Sequence, residues 1–134
     1  MQFLLDTNII SDLIRRPQGV VARHIAKVGQ GEICTSIIVA SELRYGSTKR
    51  GLGQLNERVE AALERIDVLD FKPPADAAYG RIRARLEQNR MMIGANDLFI
   101  AAHALALGLT LVTDNVREFA RVDGLPLANW LRPG

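Results

Sequence analysis

Apolar positions along this chain follow two rhythms, and the two alternate. Residues 2–5 (QFLL), 32–35 (EICT), 67–71 (DVLDF) and 110–113 (TLVT) are short apolar runs with no polar face of their own. Runs of this kind suit strands buried on both sides of a sheet. Between them, apolar residues recur every three or four positions, which is the helical period. Ile9, Ile10, Leu13 and Ile14 mark a first helix that Pro17 ends. VVARHIAKV (20–28) predicts a second, and Gly29 and Gly31 turn the chain into the next strand. Ser36 is placed to cap IIVASELRYG (37–46). Beyond Gly51 and Gly53, Leu55, Val59, Leu63 and Ile66 form one helical stripe. Pro73 and Pro74 start a helix carrying Ala78, Ile82 and Leu86. GANDLFIAAHALALG (94–108) is the most apolar helix, with Gly108 as its natural C′ residue. NVREFARV (115–122) predicts a short helix, and LPLANW (125–130) a last edge strand.

Strands that alternate with helices, and are themselves not alternating, predict an α/β fold with a short central parallel sheet flanked by helices. A length of 134 residues suits one domain, residues 1–134. In open parallel sheets, ligands sit beyond the carboxyl ends of the strands, where the strand order reverses. Chemistry is therefore expected among residues that end strands.

Composition narrows the setting. Apolar residues make up 48% of the chain, enough for a core, yet no apolar run approaches bilayer length. The first strand reaches Asp6 without a basic leader, so neither a signal peptide nor a membrane association is expected. One cysteine, Cys34, allows no internal disulfide and fits a reducing cytoplasm. The net charge of +2 conceals an imbalance of 14 Arg against 3 Lys. Arginine suits bidentate phosphate contact, so the bias permits a nucleic-acid partner. Taken by itself it reads more simply as a solvated, salt-bridged surface.

The carboxylates carry more. Asp6 ends the first strand and Asp114 follows TLVT, both on the functional rim of a parallel sheet. Asp97 lies in the first turn of the apolar helix, and Glu42 sits among apolar residues in the middle of IIVASELRYG. Each acid alone has a plainer reading: Asp6 as a helix cap, Asp97 as a complement to a helix N-terminus, Asp114 as a turn residue. Glu42 is the exception, because a mid-helix acid caps nothing, and Arg44 two residues on does not face it. Four acids beside buried-looking sequence suggest one oxygen-lined site, because grouped carboxylates repel and a divalent cation offsets that repulsion.

The two histidines, His24 and His103, and Cys34 lack zinc-type spacing. His103 is expected to be a hydrogen-bonded core residue and Cys34 an inert one. Oxygen ligands favour Mg²⁺, with Mn²⁺ as a substitute. Thr7, Asn8, Thr113 and Asn115 flank the acids and are expected to orient them or the waters of an ion. Mg²⁺ on carboxylates serves phosphoryl chemistry, and with no glycine-rich phosphate loop a nucleotide switch is not expected.

Four stretches in order, LLDTNIISDL, TSIIVASELRYG with Glu42, GANDLFIAAHALALGLTLVTDN with Asp97, and NVREFARVDGLPLANW, together resemble the PIN-domain family, specifically the VapC- and FitB-like toxins of bacterial toxin–antitoxin pairs. The resemblance runs essentially the whole chain. It implies a three-layer PIN-like fold and a metal-dependent endoribonuclease. Asp6, Glu42 and Asp97 would be its acidic core. Asp6 and Asp97 would ligate Mg²⁺ directly, and Glu42 would ligate it or orient the attacking water. Many PIN domains carry an Asp two residues after the last motif's Thr; here that position is Asn115, which makes the neighbouring Asp114 a candidate fourth ligand. The resemblance also implies an RNA substrate, a cognate antitoxin that neutralises the chain, operator DNA reached only through that antitoxin, and a homodimer, with Leu13 and Ile14 as candidate apolar contacts. Two rivals stand beside it. A haloacid-dehalogenase-like phosphatase needs an acid two residues after Asp6, where Asn8 stands. A catalytically silent RNA- or protein-binding module would keep the fold without the chemistry.

Overall fold

A computed structural model of the chain describes residues 1–132. Five strands, β1 (Phe3–Leu5), β2 (Ile33–Ser36), β3 (Asp67–Leu69), β4 (Thr110–Val112) and β5 (Leu127–Ala128), form one sheet in the order β3-β2-β1-β4-β5. Every pairing is parallel. The helices that flank it are α1 (Thr7–Arg15), α2 (Val20–Val28), α3 (Ile37–Arg50), α4 (Gly53–Arg65), α5 (Ala75–Gln88), α6 (Ala95–Leu107) and α7 (Val116–Phe119).

The apolar runs explain the sheet's place. Leu4, Leu5, Leu111 and Val112 are fully buried, each side chain contributing about 1.5–3 kcal/mol by leaving water. β1 is central: Phe3 pairs with Ile33 of β2 on one side and Thr110 of β4 on the other. The chain thus leaves β1 towards one edge and returns later to the other. The switch point falls between β1 and β4, and their carboxyl ends lead into Asp6 and Thr113.

The helices follow their stripes with local adjustments. Ser36 caps α3, its Oγ accepting the Ile38 N–H at 3.1 Å. That helix runs beyond Gly46 to Arg50 and stops only at Gly51, where φ is +68° and a side chain would be strained. The 115–122 segment holds a single α-helical turn instead of a continuous helix. Phe119 and Val122 both have to be buried, and a tight turn between them, with Val122 N–H donating to Phe119 C=O at 3.0 Å, achieves this. Leu13 and Ile14 are half-buried, packed on one side against the core.

His103 is the core residue its sequence context suggests, with Nδ1 2.8 Å from Ser36 Oγ, and burial pulls its pKa down. Cys34 is buried in β2, and that burial pushes its thiol up to about 11, which keeps it an unreactive thiol. Among the described residues no helix is long and apolar enough to cross a membrane.

Candidate active site

The carboxyl ends of β1 and β4 build the site. Asp6 is both cap and acid. Its Oδ1 accepts the Thr7 N–H at 2.8 Å, capping α1, and its Oδ2 accepts the Thr113 hydroxyl at 2.7 Å. The Asp6 N–H donates to Val112 C=O at 2.9 Å, so the residue hangs between the two central strands. Only 4% of it is exposed. Burial raises its pKa, with Glu42 and Glu118 adding to the rise, and the two hydrogen bonds oppose it.

Glu42 arrives from the second turn of α3. Its Oε1 accepts the Thr7 hydroxyl at 2.5 Å and its Oε2 accepts Asn96 Nδ2 at 3.3 Å. A mid-helix acid among apolar residues thus has its lone pairs occupied on the side of the cleft. Asp97 enters from the first turn of α6. Burial, then a hydrogen bond with Glu118 and the charges of Glu118, Asp6 and Glu42, push its carboxyl up to about 7. Asp97 and Glu118 are therefore hydrogen-bonded partners, and Asp97 is the one whose charged form is disfavoured. Glu118 is its complement: burial would raise it, but the Gly94 N–H at 2.8 Å, Asp97, Asn115 and the charge of Arg121 bring it below its ordinary value. The contact is close-fitting. A Cβ on Gly94 would stand 3.3 Å from Asp97 Oδ2.

Asp6, Glu42 and Asp97 line one cleft of about 390 Å³, together with Thr7, Asn8, Ser11, Arg15 and Asn115. The structure brings together three of the four acids singled out in the sequence and leaves out the fourth. The Asp114 carboxylate is held by Asn129 Nδ2 at 3.0 Å and Arg132 Nε at 3.1 Å, and it is not among the cleft's walls. Those two partners also lower its pKa. The expected orienting residues all have work. Thr7 fixes Glu42, Thr113 fixes Asp6, Asn8 Oδ1 accepts the Asp114 N–H at 3.2 Å, and Asn115 donates its side-chain amide to Glu118.

Glu118 is the acid that sequence reasoning missed as a site residue. It stands in the NVREF segment and accepts the Gly94 N–H just before the start of α6. The sequence signal was its place in the NVREFARVDGLPLANW stretch of the resemblance; nothing local marks the residue as different from a solvated helix acid.

The donor set is all oxygen, and after burial the neighbouring acids add to the raised pKa values of Asp6 and Asp97, so the charge of a hard divalent cation would offset the repulsion built into the cleft. Among the described residues no three acidic, histidine or cysteine side chains stand grouped as ready ligands. Asp97 is hydrogen-bonded to Glu118 at the edge of this donor set.

Comparison with known proteins agrees with this architecture. The PIN domain family model matches residues 3–125. Ribonuclease VapC2 of Haemophilus influenzae (strain ATCC 51907 / DSM 11121 / KW20 / Rd) is 41% identical over 98% of this chain and 99% of its own length. The tRNA(fMet)-specific endonuclease VapC of Shigella flexneri is 40% identical over 97% and 98%. Among solved structures, VapBC2 from Rickettsia felis bound to a DNA fragment from its promoter superimposes with a TM-score of 0.90, at 36% identity, over 97% of this chain and 99% of that one.

Proposed function

This chain belongs to the PIN-domain family, in its VapC branch, and from that premise we propose that it is the ribonuclease toxin of a toxin–antitoxin pair, hydrolysing RNA phosphodiester bonds at the Asp6–Glu42–Asp97 cleft. The observation that carries the reading is the cleft itself: one buried and two half-buried carboxylates, from three separate helix starts and interiors, converge beside the sheet's switch point, where burial and neighbouring acids raise the pKa values of Asp6 and Asp97.

Asp6, Asp97 and Glu42 would hold Mg²⁺ or Mn²⁺, with Glu118 next to Asp97. When bound, such an ion would make water a better nucleophile and offset charge on the leaving oxygen. The chain's own residues do the rest. Two hydrogen bonds fix Asp6, so its carboxylate reorganises little. Glu42, hydrogen-bonded by Thr7 and Asn96, would either ligate the ion or orient the attacking water and take its proton as that water adds to phosphorus and one bridging P–O bond breaks. As a ligand Asp97 would be ionised, its proton passing to solvent. No nucleophilic side chain is required. Asp114 is not assigned a ligand role.

The partners follow from the relatives. The solved Rickettsia assembly is a VapBC pair on promoter DNA, and a cognate antitoxin that neutralises this chain and carries it to operator DNA is part of the proposal. A homodimer is too. The Shigella relative is named for tRNA(fMet), which makes initiator tRNA the first substrate to try. A purified, antitoxin-free preparation is expected to cut tRNA(fMet) or total RNA in Mg²⁺ and to stop in EDTA, while leaving a small phosphate ester intact. Turnover of the ester would support the phosphatase, and RNA binding with no cutting of either RNA would support the silent module.

A further inference from the structure

The cleft poses an electrostatic problem for the reading above, on which this inference rests. Asp6, Glu42 and Asp97 line the cleft with carboxylates, with Glu118 hydrogen-bonded to Asp97, and so present an acidic surface to a polyanionic substrate. Neutralising the acids with a cation leaves the neighbouring phosphates of the strand unattended. Among the described residues lining the cleft, Arg15 alone carries a positive charge.

Its position is set by α1. Thr7, Ser11 and Arg15 recur every fourth residue and so share one face of the helix, the face that lines the cleft. Arg15 stands nine residues beyond Asp6 on the helix, about 13 Å along the axis, and its side chain leans back towards the N-terminus. The same residues, with Glu42, also line an adjoining groove of about 240 Å³ whose further cation is Arg50. The acid end of the cleft therefore passes into a groove whose charges are Arg15, Arg50 and the shared Glu42, on otherwise mostly apolar walls.

Arg15 has little structural employment. The nearby buried carboxylate, Asp12, is neutralised by Arg16, whose NH1 donates to Oδ1 at 2.7 Å. Arg15 approaches the same oxygen only to 4.0 Å, and its side chain is 68% exposed. A guanidinium at that distance and exposure contributes little as an ion pair. Its five donors remain available for a ligand.

We propose that Arg15 binds a backbone phosphate of the RNA adjacent to the one cut at the acids, with Ser11 between them, so that the strand lies along α1. Arg15 touches substrate but not the reacting phosphorus, so it acts on binding and not on the chemical step.

The test has a binding arm and a cleavage arm. In the Asp97→Asn background with EDTA, which keeps RNA intact, a fluorescein-labelled mixed-sequence single-stranded RNA is titrated by anisotropy across salt concentrations. Arg15→Ala is expected to bind about tenfold more weakly and to reduce the slope of log affinity on log salt by about 0.7. Arg15→Lys is expected to restore part of the affinity and the slope. Arg83→Ala, on α5 and already paired with Glu87 at 3.3 Å, is the control and is expected to match the parent. In cleavage by otherwise unaltered chain, Arg15→Ala is expected to raise KM with kcat within twofold. Unchanged RNA affinity and salt slope, with cleavage intact in the parent, would overturn the assignment and leave the nuclease reading standing. The same outcome with loss of neutralisation by antitoxin would give Arg15 to a protein partner instead. A parent that neither binds nor cuts RNA would remove the nuclease reading itself.

Discussion

Asp97→Asn should stabilise the metal-free protein at neutral and alkaline pH. The carboxyl of Asp97 titrates near 7 in the folded chain, because burial, Glu118, Asp6 and Glu42 all disfavour its charge, against 3.8 for the free side chain. The folded state therefore keeps a proton that the unfolded state releases. Stability carried by that proton is complete below the unfolded value near 3.8 and is lost as pH rises through about 7. At about 1.36 kcal/mol per pH unit, the full interval sets an upper bound of about 4 kcal/mol. Asp97 is only half-buried, and solvent screening brings the expected figure to about 1–2 kcal/mol. Asparagine keeps the shape, can donate its amide to Glu118, and never ionises. With EDTA present, the variant should melt about 3–8 °C above the parent at pH 8. The gain should shrink towards zero as the pH is lowered to about 4.5, and Mg²⁺ at pH 8 should raise the parent's Tm and leave the variant's nearly unchanged. A variant less stable than the parent at pH 8, or a gain independent of pH, would refute the claim that the cleft holds repelling carboxylates.

Thr113→Val removes the hydroxyl that donates to Asp6 and accepts the Asn115 N–H at 3.0 Å, leaving two buried or half-buried polar groups unpaired. Urea unfolding should show a loss of about 1–3 kcal/mol, and RNA cleavage should fall with it. Gly46→Ala should act in the opposite direction: the residue lies inside α3, a Cβ there meets nothing within 4 Å, and the helix should gain about 0.5–1 kcal/mol by the same assay. Leu111→Ala, at a fully buried position in β4 between β1 and β5, should cost about 2–5 kcal/mol by thermal or urea denaturation.

What the sequence made legible was whatever a short segment decides by itself. QFLL and TLVT can be buried only as central strands, so Asp6 could be placed on the rim before any contact was known. Glu42 stood out because an acid amid IIVASELRYG has no local purpose, and its partners Thr7 and Asn96 lie 35 and 54 residues away. Where two neighbouring residues compete for one role, local sequence is silent. Asp114 and Asn115 leave β4 together, and the choice between them is made by Asn129 and Arg132, 15 and 18 residues on, which draw the Asp114 carboxylate out of the cleft. Glu118 was hidden for the same reason: its significance lies in the Gly94 N–H and Asp97, more than 20 residues earlier. Leu13 and Ile14, which the resemblance offered as homodimer contacts, are half-buried against the chain's own core.

The measurement that bears most directly on the central claim compares Asp97→Asn with Asp114→Asn in single-turnover cleavage of tRNA(fMet) or total RNA with Mg²⁺. The two acids lie at the same rim of the sheet, and only Asp97 faces the cleft. Asp97→Asn should lose activity by on the order of 10²-fold or more, while Asp114→Asn should stay within a few-fold of the parent. Equal loss in both variants, or full activity in Asp97→Asn, would contradict the assignment of this cleft as the catalytic centre.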